Sequence, residues 1–337
     1  MNIYFLHNHC DFLQMKNNFN NLNNRLSIII QGPVFLNCNE FETTYTVLKS
    51  LRKYFEGAEI ILSTWRDQDV SGLDYDKLIL NDDPGATYTY PGSNTFHNLN
   101  RQIVSTFNGI RESSREFVLK TRTDLVYTRN NFWNYYHKFY KQNSLFKISD
   151  NKIIVANITS VNPNKDLKLP FHPCDWIYFG KNQDLFDLFN VPLSKDDLEI
   201  NYFVHNAFPS NHPNHLHTHR FTSESYLWLN YCKRKFHFTM NHLCDINQET
   251  IDLSEKLFGS NLIILNQEQI AFYSFKNRFN FGENYINLKN NMYTYSEYVK
   301  LYNQCNAEQI NYFDYYYFKH LFYYYFKKIT KKIKMSL

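Results

Sequence analysis

Between residues 25 and 130, short apolar runs alternate with segments of helical periodicity, and this alternation limits the fold more than any other feature of the chain. Leu26–Ile30 (LSIII) reads as a strand rich in β-branched residues, closed by Gln31, Gly32 and Pro33. Residues 40–55 carry Val47, Leu48, Leu51 and Phe55 at helical spacing, with Gly57 as the stop. Residues 58–64 (AEIILST) and 77–80 read as two further strands, the second ended by the turn-forming run from Asn81 to Gly85 (NDDPG). Residues 86–96 show no period and read as a loop. Leu99, Ile103, Phe107 and Ile110 then form one face of a helix over 98–113. Phe117–Thr121 is the next strand. Strands separated by helices predict an α/β fold, doubly wound, with a mostly parallel sheet and right-handed crossovers.

The strand at 117–121 opens the stretch EFVLKTRTDLVY, and three charges follow its apolar start. In extended backbone Lys120, Arg122 and Asp124 alternate and share one face. Charges at the end of a buried strand are costly unless they are used. Ligands of open α/β sheets bind beyond the carboxyl ends of the strands, which is where this cluster falls. The plain structural alternative is a salt bridge at the rim of the sheet.

The second half is less regular. Residues 152–159 and 176–179 read as strands, 185–189 and 224–232 as helices, the last with Ser223 as N-cap, and 201–222 as a long loop bearing histidine and proline. The expected division is an Asn-rich tail over 1–24 and a main domain over 25–300. That domain comprises a regular half (25–130) and a less regular half (131–300), and is followed by an aromatic and basic segment over 301–337. A hydrophobic fraction of 43% supplies a sizeable core, while a formal charge of +4 is too mild to suggest nucleic acid as a partner. Six scattered cysteines without a CxxC pair fit a reducing, cytoplasmic compartment. No secretory signal and no spanning apolar run are read.

Taken together, Ile28–Val34 (IIIQGPV), AEIILSTW at 58–65, DVSGLDYD at 69–76, NDDPG at 81–85, NLNRQIVST at 98–106, KTRTD at 120–124 and FHPCDWIYFG at 171–180 resemble the WavE family of lipopolysaccharide-synthesis proteins. Beyond residue 180 the likeness narrows to FTSESYLW. The resemblance implies a bacterial glycosyltransferase of surface polysaccharide with a GT-A-like nucleotide-sugar fold. It implies that 25–300 is a catalytic domain, with a nucleotide-sugar half (25–130) for the donor and an acceptor half (131–300) for an oligosaccharide or lipid-linked glycan. One departure is visible: where many GT-A enzymes carry Asp-x-Asp for a divalent metal, this chain has Arg122, Thr123 and Asp124. Asp124 with substrate phosphates could hold Mg²⁺ or Mn²⁺. Alternatively Arg122 neutralises the diphosphate through a forked contact.

Within such a fold, Gln31, Gly32 and Pro33 are expected beside the nucleoside, with Gly32 allowing close backbone approach. Trp65 is a stacking candidate for the base, or a core residue. Asp82 and Asp83 end the third strand, as ligands or as a turn-forming pair. Arg101, near a helix N-terminus, suits a phosphate, and Lys120 joins Arg122 and Asp124 on the diphosphate. Asp175 and Glu224 are the two candidate bases for the acceptor hydroxyl, with His172 beside the first; the competing role for Glu224 is a helix cap. His205, His212, His215, His217 and His219 lack the Cys or carboxylate partners usual at zinc, and read as an acceptor-side loop.

The tail runs from aromatic residues at 312–326 into Lys327, Lys328, Lys331, Lys332 and Lys334. That composition suits peripheral attachment to an anionic membrane, or a terminal helix packed on the domain. Two other functions share these features: a sugar-phosphate transferase of capsule synthesis, and a non-catalytic nucleotide- or carbohydrate-binding scaffold.

Overall fold

The computed structural model describes residues 22–36, 42–88, 96–130, 132–195, 199–212, 217–276 and 290–311, with Tyr315, Phe318 and Phe322 beyond them. In chain order the strands are β1 (Leu26–Gln31), β2 (Glu59–Trp65), β3 (Lys77–Asn81), β4 (Thr87–Tyr88), β5 (Phe96–His97), β6 (Phe117–Arg122), β7 (Leu125–Tyr127), β8 (Ile153–Ala156), β9 (Tyr178–Lys181), β10 (Leu262–Leu265) and β11 (Phe272–Ser274). Seven of them form one sheet in the order β10-β8-β9-β6-β1-β2-β3, parallel except for β9, which runs against both β6 and β8. This is an α/β fold with a mostly parallel, mixed sheet flanked by helices.

Every residue of β1 and β2 is buried, because a sheet covered on both faces leaves its central strands no solvent side. One cover is the helix Leu99–Arg111, which packs on β1, β2 and β3. Gly109 is the point of closest approach: a Cβ there would overlap Cγ2 of Ile29. The helix Thr44–Tyr54 packs against β7 and starts at a Thr43–Thr46 capping box. On the β10 side, the helices Gln248–Asn261 and Tyr295–Asn306 pack on each other.

Several boundaries differ from those read in the sequence. The 86–96 stretch holds the two-residue strands β4 and β5, paired antiparallel, where a loop was expected. Thr and aromatic residues favour extended backbone even in so short a run. The helix Ser223–Cys232 is capped by Thr222, not Ser223, through a bond from the Ser225 N–H to the threonine hydroxyl. The helix Tyr295–Asn306 runs through position 300, so the division expected there falls inside one element. Most of the Asn-rich and aromatic–basic tails, and His215, lie outside the described residues.

Candidate active site

β1 and β6 end side by side, with Gln31 paired to Arg122 in the parallel register. Beyond β6 the backbone leaves the strand, so Asp124 stands in the turn before β7 instead of continuing the alternation. There it folds back on Arg122. Nε and one terminal nitrogen of the guanidinium donate to the two carboxylate oxygens at 2.8 Å each. The Ser274 hydroxyl donates to the same carboxylate at 2.8 Å, and the Phe275 N–H to the Asp124 carbonyl at 3.2 Å. Both bonds exist because β11 pairs antiparallel with β7. The face of Arg122 lies 4.5 Å from the centre of the Trp176 ring, a cation–π contact. Asp124 is buried and Arg122 is 24% exposed, so the charge that faces outward is the guanidinium.

Lys120 is fully buried. Its ammonium donates to the carbonyl of Asp175 and, at 3.5 Å, to that of Trp176. Gln102 donates to the same Asp175 carbonyl at 3.0 Å. Lys120 therefore holds the segment that carries Asp175 and Trp176, and burial draws its pKa down to about 8. The Asp175 side chain itself is half-buried and, among the described residues, takes part in no hydrogen bond or ion pair.

Two further groups close on this point from the other side. Phe171 has φ +57°, a left-handed conformation costly for an aromatic residue, and it presents His172 inward. The His172 Nδ1 lies 2.9 Å from the Thr159 carbonyl, to which it donates, so Nε2 faces Glu224 Oε2 at 3.6 Å. Burial lowers the His172 pKa. Burial, and then the neighbouring Asp175, raise that of Glu224 to about 8. Burial thus favours the uncharged forms of both partners, an imidazole facing a carboxylic acid, with Asp175 beside them.

The remaining sequence candidates distribute unevenly. Gln31 is buried and accepts from the Ser105 hydroxyl at 3.0 Å. Gly32 takes φ +118°, a conformation open to glycine, with Thr123 Oγ1 only 3.3 Å from where a Cβ would sit. Pro33 is exposed beside it. Trp65 is buried at the end of β2, only 5% exposed. Asp82, 85% exposed, pairs with Arg66. Asp83 and Arg101 pair with each other through a two-pronged contact, at the same end of the sheet but off the Arg122 cluster. The N-terminal end of the Leu99–Arg111 helix therefore offers a neutralised pair, not a bare cation.

Gln102, Ser105, Trp176 and Ser274 belong to this site and were not singled out from the sequence. Trp176 adjoins Asp175, and Gln102 and Ser105 share a helix face with Arg101; Ser274, 150 residues from Asp124, carries no local signal. Among the described residues no three His, Cys, Asp or Glu side chains are grouped to hold a metal ion. Asp124 fits one poorly as it stands, since both its oxygens already accept hydrogen bonds. His97 packs edge-on to His219 at 4.2 Å, and His217 stacks 5.7 Å from His219; these rings pack on one another.

The fold is that of an α/β protein with a cluster of charged side chains at the carboxyl ends of its parallel strands. Within that class the chain belongs to the WavE lipopolysaccharide-synthesis family, which it matches over residues 26–336. Membership fits a glycosyltransferase-type role. A search of curated proteins finds no match. Among solved structures the chain is similar to 4-diphosphocytidyl-2C-methyl-D-erythritol synthase from Anaerococcus prevotii. The two are 13% identical, with 68% of this chain and 95% of the other covered and a TM-score of 0.31. At that level the likeness carries no argument.

Proposed function

We propose that this protein is a glycosyltransferase that moves a sugar from a nucleotide-sugar donor to a lipopolysaccharide, lipooligosaccharide or capsule acceptor, with a GT-A-like sheet as its frame. One observation carries the proposal: the Arg122 guanidinium, held by Asp124 at the strand ends, stacks on Trp176, whose neighbour Asp175 is half-buried with a side chain that makes no hydrogen bond among the described residues. A cation aimed at a leaving diphosphate and a base for the acceptor hydroxyl are the two needs of glycosyl transfer.

In this scheme the acceptor oxygen attacks the anomeric carbon as its proton passes to Asp175. The bond from that carbon to the diphosphate oxygen breaks, and its electron pair leaves with the nucleoside diphosphate. Arg122 stabilises the departing charge through its outward N–H groups, and Asp124 orients it. Gln31, Gly32 and Pro33 line the nucleoside side; Arg101 with Asp82 and Asp83 flanks it, and Trp65 backs it from the core. The uncharged Glu224 and His172 present hydrogen bonds to the acceptor without adding a second negative charge beside Asp175. Arg122, already paired with Asp124, gives the diphosphate N–H donors more than net charge, so a divalent cation held with the substrate phosphates would add to the neutralisation.

The test is a thermal-shift screen of nucleoside diphosphates and nucleotide sugars, with Mn²⁺ or with chelator, on the native chain and on Arg122→Lys. A base-selective stabilisation that survives chelator and falls about tenfold in apparent affinity in Arg122→Lys is expected, because lysine lacks the fork. Strict dependence on Mn²⁺ would assign the diphosphate to a metal instead. Product analysis with the selected donor completes the test: phosphorus retained in the new linkage would overturn simple glycosyl transfer in favour of sugar-phosphate transfer.

A further inference from the structure

A second cavity, of about 320 Å³, opens on the other side of the Ser223–Cys232 helix. Tyr226, Leu229, Asn230 and Lys233 line it from one helical face, at the spacing i, i+3, i+4, i+7. Glu224, two residues before Tyr226, projects from a different face toward His172, so the cavity is separate from the Arg122 cluster. Pro192, Leu193, Lys195, Glu199, Arg220 and Phe221 complete the wall.

The charges of this wall do not cancel. Arg220 is locked to Glu199 Oε1 at 3.0 Å and to the Asn241 carbonyl. Lys233 is exposed and lies over the rings of Phe221 and Phe238, with one long contact of 3.5 Å to the Met240 carbonyl. Desolvation and the nearby Arg220 both lower its pKa. Arg220 and Lys233 repel each other across this wall, and a bound anion would offset that repulsion. Glu199 lines the cavity, its Oε1 accepting from Arg220 and its Oε2 without a hydrogen-bond partner among the described residues. An inorganic anion would meet Glu199 unfavourably. The complementary ligand therefore has three parts: an anionic group for Lys233 and Lys195, hydroxyl donors for Glu199, and an apolar face for Phe221, Tyr226 and Leu229.

We infer that this cavity binds an acidic monosaccharide unit, a sugar ring bearing a carboxylate or phosphate. It stands independently of whether the sheet-end cluster transfers a sugar.

Titration of the full chain with glucuronate, glucose 6-phosphate, glucose and inorganic phosphate, followed by calorimetry or NMR, tests it. At least one acidic sugar should bind, glucose and phosphate at least tenfold more weakly. Lys233→Gln should weaken the acidic sugar about tenfold, and Lys195→Gln, an exposed change that leaves the fold intact, should weaken it in the same direction. Both variants should keep their response to nucleoside diphosphates, which separates failure here from failure of the transferase assignment. Absence of binding by either acidic sugar, equal binding by inorganic phosphate, or affinity unchanged in both variants would overturn the inference.

Discussion

Arg122 and Asp124 are two residues apart, yet their meaning depends on a third residue 150 positions away. Ser274 and the arginine fork together hold the carboxylate, so Asp124 fixes the direction of the guanidinium. The same scale explains the titration behaviour. Glu224 has a folded pKa raised from 4.5 to about 8. Over that interval the folded chain keeps a proton that the unfolded chain has released. Its contribution to stability is therefore full below pH 4.5 and is lost as pH rises through 8. Glu224→Gln should remove this loss, so that the Tm of the variant gains on the native protein between pH 5 and 8.5. A constant difference across that range would count against the buried acid. His97 and His219 act oppositely: their pKa values fall from 6.5 to about 3 and about 4, so their stabilisation is present above 6.5 and lost in acid. That acid limb should persist unchanged in the Glu224 variant.

The Leu99–Arg111 helix matters to the site through one position without a side chain. Gly109 lets the helix lie against Ile29 of β1, while Ser105 on the same helix reaches Gln31 and Gln102 reaches the Asp175 carbonyl. Gly109→Ala adds a methyl group into occupied space, at about 1–3 kcal/mol for overpacking, offset by about 1 kcal/mol of helix propensity. A net loss of roughly 1 kcal/mol is expected, read as a lower denaturation midpoint. Apparent affinity for the nucleoside diphosphate should fall with it, since both site contacts move with the helix. A stabilised variant would mean that the helix does not seat as closely on β1.

Attachment to a membrane is a property of the whole molecule. No helix among the described residues is long and apolar enough to cross a membrane. Tyr315, Phe318 and Phe322 are helical and 56–76% exposed, and five lysines follow them in the sequence. Each lysine near anionic lipid contributes about 1 kcal/mol, enough for reversible attachment. Deleting residues 312–337 should abolish sedimentation with phosphatidylserine-containing liposomes while leaving nucleoside-diphosphate binding intact. Undiminished sedimentation would place the lipid contact elsewhere or nowhere.

The alternation of apolar runs and amphipathic helices in residues 25–130 is a local property, so the sequence alone determined β1, β2, β3 and β6, the helices between them and their parallel pairing, though not the short strands β4, β5 and β7. It also determined that Lys120, Arg122 and Asp124 gather at a strand end, because a buried strand followed by charges leaves them nowhere else to go. It could not separate their roles. Lys120 holds the carbonyls of Asp175 and Trp176, Arg122 stacks on Trp176, and Asp124 is engaged by Ser274, and each of these partners arrives from a distant element. The antiparallel insertion of β9 and the pairing of β11 with β7 bring those partners in. Contacts between segments so far apart in the chain are fixed by packing of the whole sheet, which no local pattern of residues encodes.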